Sequence, residues 1–122
     1  MTNHTQIDID SQMPVGVCAL LFNQSGQILV GQRKNSYGAG KDGFPGGRLE
    51  LHEPLLTGIT REVKEETDLT VTNLQFVGVV REAQVDCDFI HFVYAATGIT
   101  QPPQLCEPEK CEGWRWCDID SV

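Results

Sequence analysis

The sequence predicts one α/β domain in which a mixed β-sheet carries helices on its faces. Apolar runs of strand length alternate along the chain with glycine-rich turns. Between them lies one segment whose apolar residues recur at helical spacing. A chain of 122 residues has room for one such domain, which would bury roughly two-thirds of its unfolded surface.

The first third of the chain predicts a β-hairpin followed by a long loop. Residues 14–22 are nearly all apolar, as in a buried strand, and residues 23–26 carry turn-forming side chains. Residues 27–33 have the pattern of the returning strand. Residues 35–47 contain five glycines, so we expect a loop there: Gly38, Gly40, Gly43, Gly46 and Gly47.

A helix is predicted to begin near Pro54, a residue that suits the first helical turn. Its apolar stripe consists of Leu55, Leu56, Ile59 and Val63. Gly58 costs the helix about 1 kcal/mol relative to alanine, and we expect close packing against the sheet to explain it. Further strands are predicted over residues 69–80, 88–99 and 113–117.

Three carboxylates on this helix suggest a metal site. Glu62, Glu65 and Glu66 stand at i, i+3 and i+4, so they converge on one helical face and repel one another. A hard divalent cation such as Mg²⁺, which prefers carboxylate oxygens, would offset that repulsion. The alternative is an acidic helix face that is simply solvated.

The surrounding pattern favours the metal site. Gly47, five residues, Glu53, seven residues and then residues 61–69 (REVKEETDL) resemble the Nudix box, and the match fails only at Asp68, where the family has glycine. That position follows the helix end, where a left-handed residue is common. Aspartate tolerates this conformation better than most residues. We therefore expect the departure to cost some stability and to leave the metal chemistry unchanged.

The resemblance implies that residues 1–122 form a single Nudix hydrolase domain, an α/β/α sandwich whose mixed sheet carries the loop–helix–loop of the box. Residues 1–12 are polar and acidic, lack the features of a secretory signal and are expected to be flexible. The family normally closes with a helix after its last strand, and we expect that helix to be absent from this sequence. Because the helix helps to form the base pocket in several relatives, the sequence leaves the base undefined.

The resemblance also implies the chemistry, in which water attacks phosphorus in a nucleoside diphosphate linked to another group. It implies that Glu62 and Glu66 bind Mg²⁺, for which Mn²⁺ could substitute, together with the backbone carbonyl of Gly46. Glu65 is either a third ligand or the base that activates water. The cation supplies charge neutralisation on the phosphate oxygens.

Two further box residues, Arg61 and Glu53, are expected to support these carboxylates. The resemblance implies that Arg61 orients the glutamates, with Glu53 as its partner, although a surface salt bridge is the alternative. Outside the box, Arg33 and Arg48 flank the glycine loop and are candidates for phosphate binding, because the guanidinium fork fits phosphate oxygens. Solvated side chains are the alternative for both.

The sequence leaves the roles of three further features in its last third open. Glu107 and Glu109 stand where some relatives place an additional catalytic or ligand carboxylate. Trp114 and Trp116 are two residues apart and share a strand face, where tryptophans pack in the core more often than they stack on bases. His91 has the pattern of a sheet residue and no sequence partner that suggests a role.

Within the family, residues 33–40 and 107–114 resemble the MutT-like branch, which hydrolyses nucleoside triphosphates, some of them oxidised or modified, to monophosphate and pyrophosphate. Residues 84–88 lack the proline typical of ADP-ribose hydrolases and the tyrosine of diadenosine-polyphosphate hydrolases. An ADP-ribose or nucleotide-sugar hydrolase remains an alternative. A module that binds nucleotide without cleaving it is a further alternative.

Charge and cysteine content restrict the partners. The net charge of −8 argues against nucleic-acid and membrane binding, which favour basic surfaces, and predicts that a small nucleotide substrate binds only with its metal. No apolar run approaches the ~20 residues of a membrane span. Five cysteines without a C-x-x-C pair favour reduced thiols in the cytoplasm over disulfides or zinc. A homodimer remains open.

Overall fold

The computed structural model describes residues 14–34, 40–84 and 87–122, which form seven β-strands and one α-helix. A short 3₁₀ turn, Ile119–Ser121, follows the last strand. The described residues contain no helix that is both long and apolar enough to cross a membrane. The elements are β1 (Val15–Asn23), β2 (Ile28–Arg33), β3 (Asp42–Gly43), β4 (Gly46–Arg48), α1 (Leu55–Thr67), β5 (Gln75–Gln84), β6 (Cys87–Ile99) and β7 (Cys111–Cys117).

The sheet is mixed, as predicted, and β1 is its central strand. β1 runs parallel to β6 and antiparallel to β4 and β2, and β6 pairs antiparallel with β5. β2 also pairs antiparallel with β3 and with β7. All the pairings of β2 among the described residues are therefore antiparallel. This order brings β4 and the end of β2, which flank the glycine loop, close to the N-terminal half of β1.

Helix α1 covers one face of this sheet. Its buried apolar residues, Ile59 and Val63, pack in one cluster with Val17, Ala19 and Leu21 of β1. Burial of each large aliphatic side chain contributes roughly 1.5–3 kcal/mol, so these contacts fix the helix on the sheet. The predicted stripe is thus confirmed at Ile59 and Val63. It is wrong at Leu56, which is 52% exposed.

Two boundaries differ from the sequence predictions. The strand predicted from Leu69 begins at Gln75, while Leu69 and Val71 lie in irregular backbone and are buried in the core. Apolar content does not separate a strand from a buried connection. Within residues 35–47, predicted as a loop, the described part contains β3 and the start of β4. The expectation for residues 1–12 lies outside the described residues.

The two unusual box positions have local explanations. Asp68 adopts the left-handed conformation (φ 62°) after the last helical turn, and its N–H donates to the carbonyl of Lys64. Gly58 is explained differently from the prediction, because its close neighbours belong to the loop before the helix rather than to the sheet. A β-carbon at Gly58 would lie 2.6 Å from Leu49 Cδ1 and 3.0 Å from Glu53 Oε1.

Candidate active site

A cleft of about 810 Å³ opens between β1, β2, the glycine pair (Gly46 and Gly47) and the acidic face of α1. This volume lies within the range of small-molecule sites. Its walls include most of the residues predicted to act: Arg33, Gly46, Arg48, Arg61, Glu62, Glu66 and Glu107.

Arg61 is held by Glu53 at one end of the cleft. Its Nε and Nη2 donate to the two oxygens of Glu53 at 2.6 and 3.0 Å, and the Glu53 side chain is only 9% exposed. This fork, together with the N–H of Glu50, lowers the pKa of Glu53 to about 2. The structure therefore gives Arg61 the predicted partner, in a geometry more specific than a surface salt bridge.

Arg61 also contacts the acidic face of α1. Its Nη1 donates to Glu62 and to Glu65, each at 3.1 Å. The Glu65 side chain is 48% exposed. Glu65 is not one of the described residues that line the cleft.

The glycine pair lies directly against two of the carboxylates. Gly46 N–H donates to Glu66 Oε1 at 2.7 Å. A β-carbon at Gly47 would lie 2.6 Å from the carboxyl atoms of Glu62. The predicted contact of Gly46 with a metal uses its carbonyl, whereas the observed contact with Glu66 uses its N–H. That ligand role remains a prediction.

The electrostatics of these carboxylates fit a bound cation. The pKa of Glu66 is raised to about 8, chiefly by burial and also by the charges of Glu62 and Glu107, against the lowering effect of the Gly46 N–H. Burial also raises the pKa of Glu62, although Arg61 opposes it. A positive charge beside these two partly buried carboxylates would stabilise their ionised forms, and Mg²⁺ commonly takes one or two carboxylates and keeps several waters.

The carboxylates do not form a closed ligand set on their own. No three His, Cys, Asp or Glu side chains within residues 14–34, 40–84 and 87–122 lie at metal-binding separations. Glu62 instead turns toward Arg61, and Glu66 toward Gly46. A cation at this site would therefore be held by one or two carboxylates together with backbone, water or substrate oxygens.

The loop before β7 contributes to the same cleft. Glu107 lines the cleft. Glu109 is exposed and is not one of the described lining residues. The structure thus favours Glu107 over Glu109 as the additional carboxylate, a choice that the sequence left open. Lys110 also lines the cleft, 3.6 Å from Glu107. Sequence reasoning missed Lys110, although its i, i+3 spacing from Glu107 was a usable signal.

The two tryptophans of β7 both pack against the core, as predicted. Trp114 has a second role, because its indole N–H donates to the carbonyl of Glu66 at 3.1 Å and its ring lines the cleft. It thereby anchors the last turn of α1, which carries the buried carboxylate.

The chain is similar to known proteins in sequence and in fold. The family model described as the NUDIX domain matches residues 12–122. An oxidized purine nucleoside triphosphate hydrolase of Danio rerio is 30% identical over 107 residues, which cover 84% of this chain and 65% of that protein. The chain thus spans slightly less than two thirds of the length of this relative.

Two solved structures are similar in both sequence and fold. The MutT Nudix hydrolase of Burkholderia pseudomallei has a TM-score of 0.84 and 28% identity, with 90% of this chain and 86% of that one covered. The MutT protein of Methanosarcina mazei has a TM-score of 0.83 and 27% identity, with coverage of 93% and 83%. The predicted Nudix fold is therefore confirmed, with one helix on the mixed sheet among the described residues. The chain belongs to the Nudix family.

Proposed function

We propose that this protein is a Mg²⁺-dependent hydrolase that converts a nucleoside triphosphate, including one with an oxidised or modified base, to monophosphate and pyrophosphate. The observation that carries the proposal is the close contact of the partly buried Glu62 and Glu66 with Gly47 and Gly46 in the lining of a cleft of about 810 Å³. The zebrafish relative, named for oxidized purine nucleoside triphosphates, supports this substrate class.

In this proposal each of the box residues has a separate role. Glu62 and Glu66, with the Gly46 carbonyl, hold Mg²⁺, which when bound supplies charge neutralisation on phosphate oxygens and a positioned water. Arg61 fixes the direction of the glutamates, since one guanidinium contacts Glu62 and Glu65. Glu65 serves as a third ligand or as the base.

The oxygen that bridges the α- and β-phosphates is bonded to both phosphorus atoms, and the reaction breaks one of these two P–O bonds. The oxygen of water forms the new bond to phosphorus, pyrophosphate separates from the nucleoside monophosphate, and the proton of water passes to a base. Arg33, Arg48 and Lys110 surround the cleft and would contact the phosphate chain. Glu107 would accept from a water or complete the ligand set.

The net charge of −8 supports a substrate that binds as its metal complex. It supports a small nucleotide, rather than nucleic acid or a membrane, as the partner. We place the protein in the cytoplasm, as a single Nudix domain. The free thiols of Cys18, Cys106, Cys111 and Cys117 are consistent with that location.

A hydrolysis screen with mass detection of products tests this function. Nucleoside triphosphates are incubated with Mg²⁺, with Mn²⁺, with excess chelator, and with chelator followed by Mg²⁺. We expect monophosphate and pyrophosphate with either metal, none with chelator, and recovery after Mg²⁺ is restored. Full turnover in chelator, or release of inorganic phosphate and diphosphate, would contradict the proposal.

A further inference from the structure

A second polar pair lies in the same cleft, away from α1. Glu82 Oε1 is 3.0 Å from His91 Nε2, and the two side chains are 34% and 20% exposed. The ring of Phe89 stacks on His91, with centroids 5.4 Å apart and planes at 19°. These residues line the cleft together with Val80 and Val93. They form a polar and aromatic wall, which we call the β5–β6 wall (Val80, Glu82, Phe89, His91, Val93).

The surroundings of His91 indicate which of its nitrogens carries the proton. Nδ1 is buried and has no hydrogen-bond partner among the described residues. If the proton were on Nδ1, Nε2 would be an acceptor facing the ionised carboxylate of Glu82, which has no proton to donate. The proton therefore belongs on Nε2, which donates to Glu82. This donation fixes the Glu82 carboxylate, which can only accept hydrogen bonds while it is ionised.

The β5–β6 wall stands at a suitable distance from the acidic end of the cleft. The strand order runs β4, β1, β6 and β5, so three strand spacings, or about 14 Å across the sheet, separate the glycine pair from β5. Gly47 is in register with Val79 through β1 and β6, and Glu82 lies three residues, or about 10 Å, further along β5. Cys18 of β1 lies between them. Its thiol has a pKa raised to about 12 by burial, and the charges of Arg33, Glu66 and Glu82 all act on it. One nucleotide could therefore place its phosphates at Glu66 and its base at Glu82.

We propose that Glu82, positioned by His91, selects the nucleobase and favours a base with two neighbouring N–H donors, as in guanine. The inference rests on the proposed nucleotide hydrolysis for the class of ligand. It assigns the selection to a wall that lies outside the Nudix box.

The hydrogen-bonding pattern of the bases explains this choice. Guanine offers N1–H beside its 2-amino group, and a carboxylate can accept from both. Adenine and cytosine place an acceptor nitrogen beside their amino group, and uracil places its one N–H between two carbonyls, so each would face the carboxylate with an acceptor. A site built around such hydrogen bonds rejects a ligand that leaves them unmade. Phe89 and Val80 supply apolar surface for the rings.

Replacement of Glu82 by glutamine tests the inference, because the amide keeps the shape but exchanges an acceptor for a donor. We expect the wild type to hydrolyse GTP with at least tenfold higher kcat/KM than ATP, and Glu82→Gln to reduce that ratio at least tenfold. Glu112→Gln is the matched control, since Glu112 pairs with Lys34 and lies outside the described cleft lining. It should leave the ratio unchanged.

Two substitutions of His91 separate positioning from a structural role. His91→Gln keeps an N–H that can reach Glu82, and His91→Phe keeps the ring but loses the donor. We expect His91→Gln to retain most of the GTP preference and His91→Phe to lose it, while both keep a Tm close to that of the wild type. If both variants keep the preference, His91 does not position Glu82 and the inference fails.

Binding of α,β-methylene analogues of GTP and ATP, measured by titration calorimetry with Mg²⁺, separates this inference from the proposed function. Selective binding of the guanine analogue that is lost in Glu82→Gln supports the inference, even if no triphosphate is hydrolysed. Hydrolysis without any base preference, or a preference unaffected by Glu82→Gln, overturns the inference and leaves the proposed function standing.

Discussion

The guanidinium of Arg61 donates two hydrogen bonds to the carboxylate of Glu53, at 2.6 and 3.0 Å. Glu53 lies in the loop before α1, and Arg61 lies in the second turn of α1. The two hydrogen bonds therefore join this loop to the helix. The remaining nitrogen contacts Glu62 and Glu65. One side chain therefore fixes the relative positions of three box glutamates.

Replacement of Arg61 by lysine should abolish most activity without unfolding the protein. Lysine keeps the charge but cannot form the fork with Glu53 while also reaching Glu62. We expect kcat/KM to fall by at least about 100-fold, with far-UV circular dichroism unchanged. Arg115→Lys is the control, because Arg115 bonds the exposed Asp42. Equal losses in the two variants would argue against a special role for Arg61.

Replacement of Glu62 or Glu66 by glutamine should remove metal binding. Each variant keeps the side-chain shape, and in Glu66→Gln the amide oxygen can still accept from Gly46 N–H. We expect Mn²⁺ affinity, measured by electron paramagnetic resonance, to fall at least tenfold in each, and turnover to fall by orders of magnitude. Glutamine removes the charge of a partly buried carboxylate and keeps an oxygen that can accept from Arg61 or Gly46, so the Tm of the metal-free variants should not decrease.

The control for these variants is Glu109→Gln, which removes an exposed carboxylate outside the described cleft lining. It should bind Mn²⁺ as the wild type does. Unchanged Mn²⁺ affinity in both Glu62→Gln and Glu66→Gln would show that the metal site has been assigned to the wrong side chains.

Substitution of Asp68 should change stability and not activity. Its left-handed backbone (φ 62°) favours glycine, and aspartate tolerates this conformation better than most other residues do. Its ion pair with Lys64, at 2.9 Å, is exposed and contributes little. We expect Asp68→Gly to stabilise by about 0.5 kcal/mol and Asp68→Ala to destabilise by about 1 kcal/mol, as measured by urea unfolding. A change in kcat/KM of more than twofold in Asp68→Gly would show that this position affects the chemistry.

Features set by nearby residues could be predicted from the sequence. The acidic face of α1 and the Ile59 and Val63 part of its apolar stripe depend on spacings of a few residues. The left-handed conformation of Asp68 was predicted from the position of the family's glycine. The pairing of Arg61 with Glu53, eight residues apart, came from the family resemblance. The early start predicted for the strand at Leu69 was wrong, because burial of Leu69 and Val71 depends on how the connection crosses the core.

Features that depend on strand register could not be predicted in this way. Glu82 meets His91 only because β5 and β6 pair antiparallel, and a bulge between Phe76 and Gly78 shifts that register. A shift of one residue would turn Glu82 to the other face of the sheet. In the same way, the difference between Glu107 and Glu109 arises from the path of an irregular loop.

The central claim is that a nucleoside triphosphate is the substrate, and a comparison of catalytic efficiencies tests it most directly. Wild-type protein with Mg²⁺ is assayed on the nucleoside triphosphates, ADP-ribose and nucleotide sugars, with products identified by mass and Glu66→Gln as the check for contaminating activity. We expect a triphosphate to have the highest kcat/KM and to yield monophosphate and pyrophosphate. A tenfold advantage for ADP-ribose or a nucleotide sugar, about 1.4 kcal/mol in transition-state stabilisation, would contradict the claim.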